Sequence, residues 1–127
     1  YAKMLGDKME KSNVNVWLIN TGWSGGAHGT GTRIKLKYTR AMISAALNGD
    51  LDKVEYQIHP VFGLNMPKSC INVPKELLNP KNTWANRSIY DQKANELAIA
   101  FKLNFEQFSN NANKEILEAL PKEILAN

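Results

Sequence analysis

The sequence predicts a mixed α/β fold with a few strands and three to four helices, in a single unit spanning residues 1–127. Three observations predict it. A β-rich run, Val14 to Asn20, stands directly before a glycine-rich loop. A long amphipathic helical pattern occupies the last third, and a chain of 127 residues suffices for one core.

Met4, Leu5 and Met9 have helical spacing, which predicts a helix to about Lys11, weakened by Gly6 and broken at Ser12-Asn13. Val14 to Asn20 (VNVWLIN) is nearly continuous in apolar character at its end, as in a buried strand. Thr21 to Gly31 holds five of the eight glycines and must be a loop. Arg33 to Tyr38 alternates: Ile34, Leu36 and Tyr38 share one face, Arg33, Lys35 and Lys37 the other, which predicts a half-buried strand. Thr39 then stands as N-cap of a helix from Arg40 to Asn48 that stops at Gly49. Leu51 to Asn65 reads as extended, anchored by Tyr56 and Phe62, and the proline-rich stretch to Trp84 as irregular apart from a turn at Lys75 to Leu78. Tyr90, Ala94, Leu97, Phe101, Phe105 and Phe108 form one stripe of a helix from about Ser88 to Phe108 that needs a partner surface. Ile116, Leu117 and Leu120 mark a last short helix before Pro121.

No apolar run approaches the ~20 residues that a membrane helix needs. The first eleven residues carry scattered charges and no apolar core, so they do not read as a signal peptide. A helical pattern already under way at Tyr1 is expected of a piece of a longer chain. The single cysteine, Cys70, excludes an intrachain disulfide and makes a reducing, cytoplasmic setting the default. The sequon Asn86-Arg87-Ser88 is read as chance in that setting.

Charge is more informative once located. The net charge is +4, and residues 21–40 contain Arg33, Lys35, Lys37 and Arg40 without any Asp or Glu. The whole excess therefore lies in one segment beside a flexible loop, which suits a small polyanion. A nucleic-acid binder spreads Lys and Arg along a face and favours Arg, whereas only 3 of the 16 basic residues here are Arg. Binding to nucleic acid is not expected.

Strand, glycine loop, basic strand and helix is an order found at phosphate sites, where backbone N–H groups meet an anion. The loop is not a Walker A motif, and Gly29-Thr30-Gly31 lacks dinucleotide-fingerprint spacing. By glycine content alone, a long hairpin loop is the better reading. His28 and His59 lack partners at metal-ligand spacing, and Cys70 has no adjacent His or basic cluster. Trp17, Trp23 and Trp84 read as packing anchors, and the carboxylates form no acid–base pair.

Residue patterns stop there, but the sequence also resembles a known family. Asn20-Thr21-Gly22-Trp23-Ser24-Gly25-Gly26, Gly29-x-Gly31-x-Arg33-Ile34 and Tyr38-Thr39-Arg40 are similar to the nucleotide-side signature of ATP-dependent phosphoenolpyruvate carboxykinases. The similarity continues through Leu47 to Leu51, Pro60 to Asn65, Val73 to Pro80, Thr83-Trp84 and Asn104-Phe105, and so covers essentially the whole chain. Thr32 departs from the pattern, since many members carry a basic residue immediately before the Arg.

The resemblance implies the C-terminal portion of the family's nucleotide-binding domain. It implies that Arg33, Ile34 and Thr39 hold the adenosine end of ATP, with no catalytic residue and no metal ligand in this segment. Chemistry agrees: Arg33 can stack on or hydrogen-bond to a base, Ile34 offers an apolar wall, and Thr39 a hydroxyl. Ile34 serves equally as core, and Thr39 as a helix cap. For the full enzyme the resemblance implies ATP and oxaloacetate as substrates, Mg2+ and Mn2+ as metals, and the upstream part of the same polypeptide as partner. The segment alone is expected to be inactive and to hide apolar surface by self-association. The alternative is a stand-alone nucleotide- or phosphate-binding module.

Overall fold

The computed structural model describes residues 1–125. Asn13 takes the left-handed conformation, φ 49°, and ends helix α1 (Ala2–Ser12) where the polar break stands. No residue of α1 is buried. Beyond it the predicted strand does not form. Val14 to Asn20 has no ladder partner among the described residues, because a strand exists only through a hydrogen-bonded neighbour. Nor is the run buried as a whole: Val14, Val16 and Leu18 are exposed, Trp17 and Ile19 half-buried.

Strands β1 (Trp23–Ser24) and β2 (Thr32–Arg33) close an antiparallel hairpin, pairing Trp23 with Arg33 and Ser24 with Thr32. The alternation from Arg33 to Tyr38 is not a strand. Its last rung is Ile34 N–H to the Gly22 carbonyl, 2.9 Å, since the partner chain turns away at Asn20. Leu36, expected inside, is exposed and opens α2 (Leu36–Leu47). The N-cap is the extended Lys35, and Thr39 is not the cap but a buried residue inside the first turns. Gly49, φ 76°, follows the helix as the sequence predicts.

The stretch read as extended folds into a 3₁₀ turn, Asp50–Lys53, and a second hairpin, β3 (Tyr56–Ile58) with β4 (Asn65–Pro67). Helix α3 (Lys75–Leu78) is the predicted turn, and a 3₁₀ turn, Pro80–Thr83, follows it. Helix α4 (Arg87–Phe105) is capped by Asn86, whose side chain accepts from the N–H groups of Ser88 and Ile89. A 3₁₀ turn (Glu106–Asn111) leads to α5 (Lys114–Glu118). The described residues thus form a mixed α/β fold with five α-helices, two of them about one turn long.

Two small cores result. Ala45, Leu51, Cys70 and Val73 form one, with Trp17, Met42 and Leu77 packed against it. Val61, Ala94 and Ala98 form the other, with Phe62, Tyr90 and Ile124. On α4 the buried seam is Asp91, Ala94 and Ala98, so the predicted stripe is only partly covered: Leu97, Phe101 and Phe108 are exposed. Asn95 clamps the chain end through both amide atoms, donating to the Ile124 carbonyl at 2.6 Å and accepting from its N–H at 2.8 Å. The accessible surface is 9800 Å². A compact monomer of this mass exposes about 6,800 Å², so much apolar surface is left without a cover. No helix among the described residues is long and apolar enough to cross a membrane.

His59 fixes the second hairpin. It is buried, and its Nδ1 accepts from the N–H groups of Val61 and Phe62 at 3.1 and 3.2 Å. Nδ1 is therefore unprotonated, and Nε2–H donates to the Tyr90 hydroxyl, 2.7 Å away. Burial lowers the His59 pKa, and the nearby Asp91 only partly opposes it. A folded pKa below the unfolded value means that protonation favours the unfolded chain. The stability this group contributes is full above the ordinary histidine range and is lost as pH falls below about 6.5. Urea midpoints should be level from pH 8 to 7 and decline toward pH 5, and His59→Ala should lower the midpoint and remove that step.

Candidate functional site

The hairpin base is set by Asn20, whose Oδ1 accepts from Gly22 N–H at 2.9 Å and whose Nδ2 donates to the Trp23 carbonyl at 3.1 Å. This side-chain mimic of a turn directs the chain into β1. At the tip, the Ala27 carbonyl accepts from the N–H groups of Thr30 and Gly31. Glycine is required at two places. Gly25 has φ 84°, and a Cβ on Gly31 would collide with the carbonyl oxygens of Gly26 and Ser24.

The return strand delivers Arg33, Ile34 and Lys35 to the start of α2. There a cleft of about 510 Å³ opens, lined by Thr21, Arg33, Ile34, Lys35, Leu36 and Thr39. All three residues singled out from the sequence therefore meet in one cleft. Thr39 is 7% exposed and Ile34 half-buried, so Ile34 serves both packing and lining. A second cleft, about 450 Å³, lies against the hairpin and shares Arg33, Ile34 and Lys35 with the first.

This edge is cationic. Among the described residues, Arg33, Lys35 and Arg40 have no carboxylate within ion-pair distance, and Lys37 stands 5.0 Å above the Tyr38 ring. Elsewhere Lys68, Lys81, Lys93, Lys102 and Lys114 each meet a carboxylate, while Lys3, Lys8, Lys11, Lys53, Lys75, Arg87 and Lys122 meet none among the described residues. Of the four cations of this segment, Arg33 and Lys35 line the cleft, each without a paired carboxylate.

The other candidates fall away from it. His28 is exposed at the loop, edge-on to Trp23 at 4.8 Å, and Trp23 is 41% exposed and not a packing anchor. Trp17 and Trp84 are half-buried against Tyr56 and Tyr90, as expected of anchors. Burial pushes the Cys70 thiol up, away from the thiolate a nucleophile needs. Among the described residues no three His, Cys, Asp or Glu side chains are grouped to hold a metal ion. Thr21, Lys35 and Leu36 were not singled out beforehand. Lys35 was signalled by the local charge, whereas the alternating pattern hid Leu36.

Fold and cleft together define a mixed α/β segment with an open, cation-edged cleft. A family model described as phosphoenolpyruvate carboxykinase matches residues 1–76. A protein of Flavobacterium johnsoniae named phosphoenolpyruvate carboxykinase (ATP) is 63% identical over 121 residues, covering 95% of this chain and 23% of its own length. Proteins of the same name from Christiangramia forsetii and Caldanaerobacter subterraneus are 55% and 54% identical, covering 97% and 96% of this chain and 23% of their own lengths. The chain belongs to the phosphoenolpyruvate carboxykinase family, and it spans about 23% of the length of the curated relatives it matches.

Gly31→Ala should force the hairpin apart and destabilise the chain by about 1–3 kcal/mol. Gly6→Ala, in α1 with nothing within 4 Å of the added Cβ, should instead raise helix content in far-ultraviolet circular dichroism.

Proposed function

We propose that this chain is the C-terminal part of the ATP-binding domain of an ATP-dependent phosphoenolpyruvate carboxykinase, and that it forms the adenosine-side wall of the ATP site. The observation that carries this reading is the convergence of Arg33, Ile34 and Thr39 on one cleft whose cations lack carboxylate partners. Arg33 stacks on or hydrogen-bonds to the base, Ile34 lays an apolar wall beneath it, and the Thr39 hydroxyl fixes its orientation. Lys35, on the same cleft, adds positive potential toward the phosphates.

The whole enzyme, in this reading a cytoplasmic carboxy-lyase of gluconeogenesis, decarboxylates oxaloacetate and phosphorylates it with ATP, giving phosphoenolpyruvate, ADP and CO2. Mg2+ and Mn2+ supply phosphate bridging and enolate stabilisation when bound. The described residues group no set of ligands for such an ion, so no step through a metal is assigned to them. Catalytic and oxaloacetate-binding groups belong to the upstream part of the polypeptide. The excess of accessible surface supports such a partner: Val14, Val16 and Leu18, together with Leu97, Phe101 and Phe108, offer apolar contact without a cover.

The 127-residue chain alone should give no turnover in a coupled carboxykinase assay, and turnover would overturn the division of labour. In sedimentation it should self-associate and bind a hydrophobic dye. Micromolar ATP binding by a compact, dye-silent monomer would favour a stand-alone nucleotide-binding module instead. In the full-length polypeptide, Arg33→Gln should raise KM for ATP about tenfold with a smaller effect on kcat; an unchanged KM would remove Arg33 from the site.

A further inference from the structure

We infer that Thr83 is a positioning residue for the cleft: its hydroxyl holds the glycine-rich hairpin, which abuts its backbone carbonyl, where Arg33 reaches the cleft edge. The consequence for binding rests on the nucleotide reading given above; the anchoring itself does not. Thr83 closes the turn Pro80–Thr83, 59 residues from Ser24 in sequence. Ser24 Oγ lies 2.8 Å from Thr83 Oγ1, which lies 2.7 Å from the Pro80 carbonyl oxygen. A hydroxyl has one proton, and a carbonyl only accepts. Thr83 therefore donates to Pro80, and Ser24 donates to Thr83, so the relay has a single polarity.

A second contact stands beside it. A Cβ on Gly25 would lie 2.8 Å from the Thr83 carbonyl oxygen, so hairpin and turn meet backbone to backbone. The turn is itself held. The Asn79 side chain accepts from Lys81 N–H at 3.2 Å, and Lys81 Nζ meets Asp91 Oδ2 of α4 at 2.6 Å. The hairpin, by contrast, has only two ladder pairs, too few to fix its own orientation. Ser24 is one of the paired residues, facing Thr32 and adjacent to the Trp23–Arg33 pair. Anchoring Ser24 therefore anchors Arg33 through the ladder.

The test uses the full-length polypeptide and Thr83→Val, which keeps the side-chain shape and removes the hydroxyl. Gly31 and Ile34 amides, bonded to the Ala27 and Gly22 carbonyls, should exchange about tenfold faster than in the wild type, while α4 amides do not change. KM for ATP should rise several-fold at constant kcat, and Thr83→Ser should restore both readouts. Ser24→Ala removes the same bond from the other side and should reproduce the effect even if the Val variant folds poorly. Unchanged exchange at Gly31 and Ile34 in both variants would overturn the inference, as would faster exchange with unchanged KM. If the wild type binds no ATP while Thr83→Val still loosens the hairpin, the anchoring stands and the nucleotide reading falls.

Discussion

The ion pair between Lys81 and Asp91 is the constraint on which the arrangement turns. Asp91 is 5% exposed, and its second carboxylate oxygen, Oδ1, has no hydrogen-bond partner among the described residues. A buried carboxylate with one free oxygen is expensive to keep charged, and its compensation comes mainly from the single ammonium at 2.6 Å. That dependence fixes the turn Pro80–Thr83 against α4. The turn touches α3 on one side and α4 on the other, and so joins the two small cores. The pair thus gives little by way of net attraction, but it specifies where the cleft-bearing half sits relative to the long helix.

The long helix accepts this role because its inner face is small. Ala98 is fully buried and Ala94 nearly so, which lets Val61 and the second hairpin approach closely. Polar ties then do what a larger core would do elsewhere: His59 to Tyr90, Asn95 to Ile124, and Lys102 to Glu123. Cores this small bury little apolar area, and each buried side chain contributes only about 1.5–3 kcal/mol. Loss of a single polar tie should therefore be felt across the chain, and the uncovered apolar residues of α1 and α4 remain available for contact with more polypeptide.

What was legible in the sequence was local. The stop at Gly49, the turn at Lys75 to Leu78, the start of α4 and the glycine loop each follow from residues within a few positions of each other. What was not legible depended on partners. Val14 to Asn20 has strand composition, but strand identity is a property of pairs, and the described residues provide no pair. Arg33 to Tyr38 alternates over too few residues to separate a strand from the first turn of a helix. The Asn20 side chain ended the ladder early, and helix took over at Leu36. On α4, the aromatic stripe misled because burial followed the small residues Ala94 and Ala98 and the paired Asp91 rather than the largest apolar ones. Arg33, Ile34 and Thr39 were named by the family resemblance and not by their pattern, and they share one cleft because they lie within seven positions of sequence around one strand-to-helix junction.

On the proposed reading, the same junction supplies one wall of a site and not the whole of it. Small-molecule sites bury most of their ligand and place polar groups on several sides. Here the cleft is lined from a single stretch, Thr21 to Thr39, and Arg33, Lys35 and Leu36 are exposed along it. Exposed cations act across water and are screened within about 8 Å at physiological salt. Their attraction then offsets little of the entropy lost on binding. Enclosure by a second wall would exclude water, lengthen the reach of the Arg33 and Lys35 charges and convert the same residues into strong contacts. The exposed cations of the cleft and the uncovered apolar surface elsewhere would both gain from contact with more polypeptide.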